Sequence, residues 1–149
     1  MTSLSPEQIE LVVRLGSAAI LGGLIGFERE LHGKVAGFRT YSLVSVGSAL
    51  IMLVSIRMFI IYGTKAGVDP SRIAAQVVSG IGFLGAGTII RAGMGIKGLT
   101  TAAGLWTASG IGLACGMGYY EGAIVGTVVT LVVLVIFSRI GRWIGARDV

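Results

Sequence analysis

Charge is scarce in this sequence, and acidic charge most of all: seven aspartates and glutamates stand beside twelve lysines and arginines and one histidine in 149 residues. Charged residues make up 13%, against roughly 25% in soluble domains, and they cluster between long apolar runs, which excludes an ordinary water-soluble globule. Cys115 is the only cysteine, so one chain can form neither a disulfide, nor a redox pair, nor a cysteine-based zinc site. The net charge of +5 is not gathered into a basic block with interleaved aromatics, so it gives no indication of nucleic-acid binding. Met1–Glu10 contains no basic residue and carries Glu7 and Glu10 instead, unlike the positive start of a secretory signal peptide; the first apolar run is expected to stay attached. No nucleophile with a base and an orienting acid, no phosphate-binding lysine motif and no metal-ligand spacing is present, so no enzyme activity and no resident cofactor are expected.

Hydrophobic residues, by contrast, reach 54%, and the mean hydropathy is +0.88. A helix needs about 20 mostly apolar residues to cross the hydrocarbon. Five runs qualify: 9–27, 41–62, 73–90, 99–118 and 122–144. The sequence therefore predicts an all-α fold, a polytopic bundle of about five transmembrane helices in one domain over residues 1–149, with the lipid bilayer as its solvent. Basic residues near span ends are retained on the cytoplasmic side. Arg29, Lys34 and Arg39, then Arg91 and Lys97, then Arg139, Arg142 and Arg147 fall on one side, against only Lys65 and Arg72 on the other. The N-terminus is thus expected outside and the C-terminus in the cytoplasm.

Arg14 and Arg57 lie at similar depth near the outer ends of the first two spans. Pairing of Arg14 with Glu10 at i,i+4 and snorkelling of both arginines is one reading. The other makes Glu10, Arg14 and Arg57 an outer charge cluster, a vestibule or docking surface.

The 25 glycines sit mostly inside apolar runs, where lipid helices use them for close approach. Gly80-Ile81-Gly82-Phe83-Leu84-Gly85 matches a dinucleotide fingerprint by letter, but no strand, βαβ unit or downstream acid accompanies it. Together with Gly87, these glycines are expected instead to make a thin helix face or a break in the helix. Gly22 and Gly26, Gly112 and Gly116, and Gly118, Gly122 and Gly126 recur four apart and predict further packing faces, inside the chain or toward a second copy. Trp106 is expected in the core and Trp143 in the interfacial belt.

Polar residues gather at the predicted cytoplasmic end: Glu28, Glu30 and Arg39 after the first span, then Thr88, Thr100 and Thr101 around the third loop. Carboxylates beside hydroxyls suit a hard cation such as magnesium, whereas arginines and threonines suit an anion or lipid phosphate. A solvated surface run is the plain alternative for Glu30.

Four segments, Gly26-Phe27-Glu28-Arg29-Glu30, Ala36-Gly37-Phe38-Arg39-Thr40, Gln76 through Ile89 and Gly98 through Trp106, together resemble the MgtC/SapB membrane family. The resemblance implies a multi-pass bacterial inner-membrane protein linked to adaptation to low magnesium and, in pathogens, to survival in host cells. It also implies a regulator that contacts other integral membrane proteins, with F-type ATP synthase as a candidate partner. Longer members of that family continue into a soluble cytoplasmic domain, and the resemblance is to a short member without it.

Two functions follow as expectations. One is an interaction protein whose glycine faces bind partner helices, its own second copy included. The other is a channel or transporter for magnesium or another small ion, with Gly80–Gly87 thinning the third span and Glu28, Arg39, Thr100 and Thr101 lining the cytoplasmic mouth.

Overall fold

Backbone N–H and C=O groups in hydrocarbon must be satisfied within the segment, which selects helices. The computed structural model describes residues 5–66, 69–92 and 95–143. Five helical rods stand where the apolar runs lie. They are α1 (Pro6–Leu31), α2 (Phe38–Ala66), α3 (Ser71–Gly87), α4 (Leu99–Met117) and a last rod in which α5 (Tyr120–Val132) passes through a π-helical turn (Val133–Phe137) into α6 (Ser138–Trp143). Among the described residues three stretches, Pro6–Leu31, Phe38–Gly63 and Tyr120–Gly141, are long and apolar enough to cross a membrane. α3 has 17 residues and α4 has 19, the latter diluted by glycines and hydroxyls. Ile144, the expected end of the fifth span, and Arg147, counted in the orientation argument, lie outside the described residues.

Local signals set the helix ends. Ser5 and Gln8 form a reciprocal capping box at the start of α1, with Pro6 in the first turn. Gly98 (φ 94°) and Gly118 (φ 84°) frame α4 in the left-handed region that side chains disfavour. Ahead of α3, Asp69 accepts from both the amide and the hydroxyl of Ser71, and these bonds hold its carboxyl below the usual range. α1 runs to Leu31, past the charged boundary at Phe27, because Glu28 and Arg29 turn into the bundle and pair there. α3 continues unbroken through Gly80, Gly82 and Gly85, so no helix break occurs there. It ends at Gly87, where the amide and hydroxyl of Thr88 both bond the Gly85 carbonyl. The chain then makes a short antiparallel hairpin, β1 (Ile90–Ala92) with β2 (Gly95–Lys97), in place of the last turn expected of the third span.

α4 is the centre of the bundle and touches α1, α2, α3 and α5. Its buried stripe, Leu105, Ala108, Ile111 and Cys115, meets Ile25 of α1 and Tyr41 and Ala49 of α2. Trp106 is not core: it stands 57% exposed on the outer face of α4. Trp143 is 89% exposed.

Candidate functional site

The charges of the bundle collect at its two ends. At the end where α1 turns into α2, Glu28 and Arg29 are buried, 8% and 4% exposed. An Arg29 guanidinium nitrogen lies 3.6 Å from Glu28 Oε2, and His32 Nδ1 lies 3.0 Å from Glu28 Oε1. Glu28 Oε2 and Arg29 Nε make no hydrogen bond. Beside them the Tyr41 hydroxyl donates to the Thr101 carbonyl at 3.3 Å, tying α2 to the first turn of α4. Gly104 leaves room for that phenol; a Cβ there would run into its oxygen.

The remaining residues expected at this end are dispersed among separate tasks. Glu30 Oε2 accepts from the amide of Phe38 at 2.7 Å, satisfying one of the orphan donors at the start of α2. Thr88 caps α3, Thr101 is buried behind Tyr41, and Arg39 and Thr100 face outward. Glu28 therefore pairs with Arg29 and His32, not with Arg39. Arg29 and His32 belong to the same polar run of the sequence but are not among the six residues expected to form the site. Arg29 was recoverable, because Ala18, Gly22, Ile25 and Arg29 repeat at helical spacing on one face. If Glu30 acts as a cap, Glu30→Ala lowers stability by about 0.5–2 kcal/mol and Glu30→Gln, which keeps an acceptor, restores most of it. Thermal unfolding in detergent measures this, and an alanine variant that melts like the parent removes the cap.

At the other end, Arg14 donates to Glu10 and also to the Gly116 carbonyl at the end of α4, the latter at 2.5 Å. A Cβ at Gly118 would sit 3.3 Å from the same guanidinium, so the left-handed glycine leaves the arginine its place. Arg57 faces this pair across a groove between α1 and α2.

The glycines divide into two groups. A Cβ at Gly22 would lie 2.6 Å from Ser45 Cβ, at Gly26 2.8 Å from the Gly37 carbonyl oxygen, and at Gly116 2.5 Å from the Ala49 carbonyl oxygen; Gly112 abuts the backbone of Ser45. These close α1 and α4 onto α2. Gly85 packs on Ala102 and Gly126 on Ile111, while Gly122 adjoins Tyr119 of its own rod. Gly80, Gly82 and Gly87 have nothing within 4 Å of a Cβ position. On α3 only Val77, Ile81 and Gly85 are buried, leaving an opposite face of Arg72, Ser79, Phe83 and Gly87, with Gln76 at its edge toward α2, that has no partner among the described residues.

The family model for the MgtC family matches residues 15–143. A candidate magnesium transporter, YhiD, of Escherichia coli (strain K12) is 50% identical over 133 residues, 88% of this chain and 62% of that protein. Protein MgtC of Salmonella typhimurium (strain LT2) is 45% identical over 120 residues, 80% of this chain and 49% of that protein. An uncharacterized protein of Synechocystis is 39% identical over 126 residues, 85% of this chain and 51% of its own length. The chain thus spans about half to three fifths of the curated relatives it matches. No solved structure matches it.

Proposed function

The chain belongs to the MgtC family, and from that premise we propose that it is a regulatory interaction module of the bacterial inner membrane. It crosses five times with the N-terminus outside, and it acts in adaptation to low magnesium by binding helices of another membrane protein. F-type ATP synthase is the partner to test first. The magnesium link draws on the names of its relatives, one of them a candidate magnesium transporter.

The observation that carries this reading is the unpartnered face of α3. Gln76 and Ser79 are both exposed where lipid offers no hydrogen bond, Ser79 opposite the buried face and Gln76 at the edge toward α2, and Phe83 is 83% exposed beside glycines with open space above them. A polar amide facing hydrocarbon is costly unless another helix accepts it, and small residues are what let that helix approach. Gln76 and Gly80 also line a groove of about 570 Å³ between α2 and α3, with Gly47 on its opposite wall. That is room for the side chains of a crossing helix.

A Cβ at Gly80 or Gly82 meets nothing within 4 Å among the described residues, so Gly80→Leu and Gly82→Leu are each expected to keep the parent melting temperature. Each is expected to lower co-purification with the partner complex from membranes by at least about tenfold, the loss of one well-packed contact. Undiminished co-purification in both variants would sink this reading. The transport alternative rests on buried Glu28, whose Oε2 has no hydrogen bond. Magnesium flux into liposomes above the empty control, abolished by Glu28→Gln in folded protein, would put transport in its place.

A further inference from the structure

A charge carried into the first turns of a membrane helix needs a partner, and at the Pro6 end of the bundle the chain meets only part of that need. α1 and α2 leave a groove of about 650 Å³ there, with Glu7, Glu10 and Arg14 on one wall and Arg57 on the other. Arg14 is held by Glu10 and the Gly116 carbonyl. Glu7 and Arg57 are not held: among the described residues neither has an opposite charge within 4.0 Å. The two helices run antiparallel, and counting outward from Gly22, which abuts Ser45 and Tyr41, brings Arg57 level with Glu7 and Glu10. An unpaired carboxylate and an unpaired guanidinium therefore face one gap at one height. Toward the middle of the bundle the walls become apolar, through Leu11, Leu15, Leu50, Leu53 and Val54. At about 1.5 Å per helical residue, the stretch from Arg57 to Leu50 covers about 10 Å, some two thirds of the hydrocarbon depth of one leaflet.

We propose that this groove binds a phospholipid with a zwitterionic headgroup bearing a primary ammonium, namely phosphatidylethanolamine. The lipid phosphate accepts from the Arg57 guanidinium, and the ammonium donates to Glu7 and Glu10. One acyl chain follows the leucines of α1 and α2. The four charged side chains sum to zero, which suits a headgroup that does the same. A purely anionic headgroup satisfies Arg57 but sets a second negative charge against Glu7. A choline headgroup has no N–H to donate to a carboxylate, so it forfeits the charge-assisted hydrogen bonds that the gap offers.

Native mass spectrometry of the full chain in detergent tests the site. Phosphatidylethanolamine, phosphatidylcholine and phosphatidylglycerol of identical acyl chains are offered at equal concentration. The ethanolamine lipid is expected to be retained about tenfold over the other two, the factor associated with one charge-assisted hydrogen bond. The preference disappears in Glu7→Gln with Arg57→Gln and survives in Arg39→Gln, an exposed cation at the opposite end. Equal retention of the three lipids by the parent chain overturns the proposal without reference to any variant. So does a preference for phosphatidylglycerol, an undiminished preference in the double variant, or a lipid-free dimer seated through the groove.

Discussion

Gly112→Ala is expected to destabilise the bundle by about 3 kcal/mol, the upper end of what overpacking costs, while Gly110→Ala leaves it unchanged or slightly more stable. The two glycines stand two positions apart in the sequence and far apart in physics. A Cβ at Gly112 collides with the Ser45 carbonyl group and would lie 2.9 Å from Ser45 Cα, so the obstacle is backbone, which has no rotamer to escape into. A Cβ at Gly110 meets nothing within 4 Å, and alanine there only removes the entropy and propensity penalty of glycine in a helix. Relieving the collision at Gly112 means pushing α2 away from α4. That separates Tyr41 from Thr101 and opens the core around Leu105 and Ile111. Against a total folding free energy of about 5–15 kcal/mol, such a loss removes a large share. Thermal unfolding and size-exclusion profiles of both variants in one detergent check it. If the two variants melt together, the close approach of α2 and α4 is not what holds the bundle.

The same pair shows why part of the structure was legible in the sequence and part was not. Hydropathy located the rods because hydrocarbon makes one uniform demand, about 20 apolar residues with every backbone group satisfied internally. It does not mark the end of α1: the span expected to close at Phe27 lies within a helix that continues to Leu31, because Glu28 and Arg29 neutralise each other inside the bundle. Small residues four apart mark a face, but the spacing is identical for a packed face and an open one. Gly22, Gly26, Gly112 and Gly116 meet α2, whereas Gly80, Gly82 and Gly87 meet nothing among the described residues. Trp106 lies deep along its span and still stands exposed, because depth in the membrane and burial in the protein are independent coordinates. Leu99, Ala103, Trp106 and Gly110 share the face of α4 that no neighbouring helix covers. The hairpin did carry a signal: Ile90-Arg91 and Ile96-Lys97 alternate apolar and basic residues around Gly93 and Gly95, a strand pattern overridden by the apolar run before it. Among the charged residues, pairing of Arg14 with Glu10 followed from i,i+4 spacing. The partners of Glu28 required knowledge of which face of α1 is buried.

That buried face supplies the second large effect. Removing either charge of the Glu28–Arg29 pair strands the other in a site less than one-tenth exposed, and a lone buried charge typically costs about 3–5 kcal/mol. Arg29→Met and Glu28→Leu are each expected to lose that much in detergent unfolding. The double variant, which replaces the pair by apolar groups of similar volume, is expected to recover most of it, because such exchanges are often neutral or better. The shape of the cycle then separates two roles. If the pair exists to close the end of the bundle, the single losses fall far short of adding and the double variant associates with its partners as the parent does. If Glu28 instead serves a ligand through its oxygen without a hydrogen bond, Glu28→Leu costs little stability, Arg29→Met costs the full amount, and function fails in the double variant although its fold is restored. The 3.6 Å between the two groups is an ion-pair distance without a hydrogen bond, and His32 already stands on the far oxygen. Arg29 and His32, one on each oxygen of a carboxylate this buried, favour closure of the bundle end, and the non-additive cycle is the expected result.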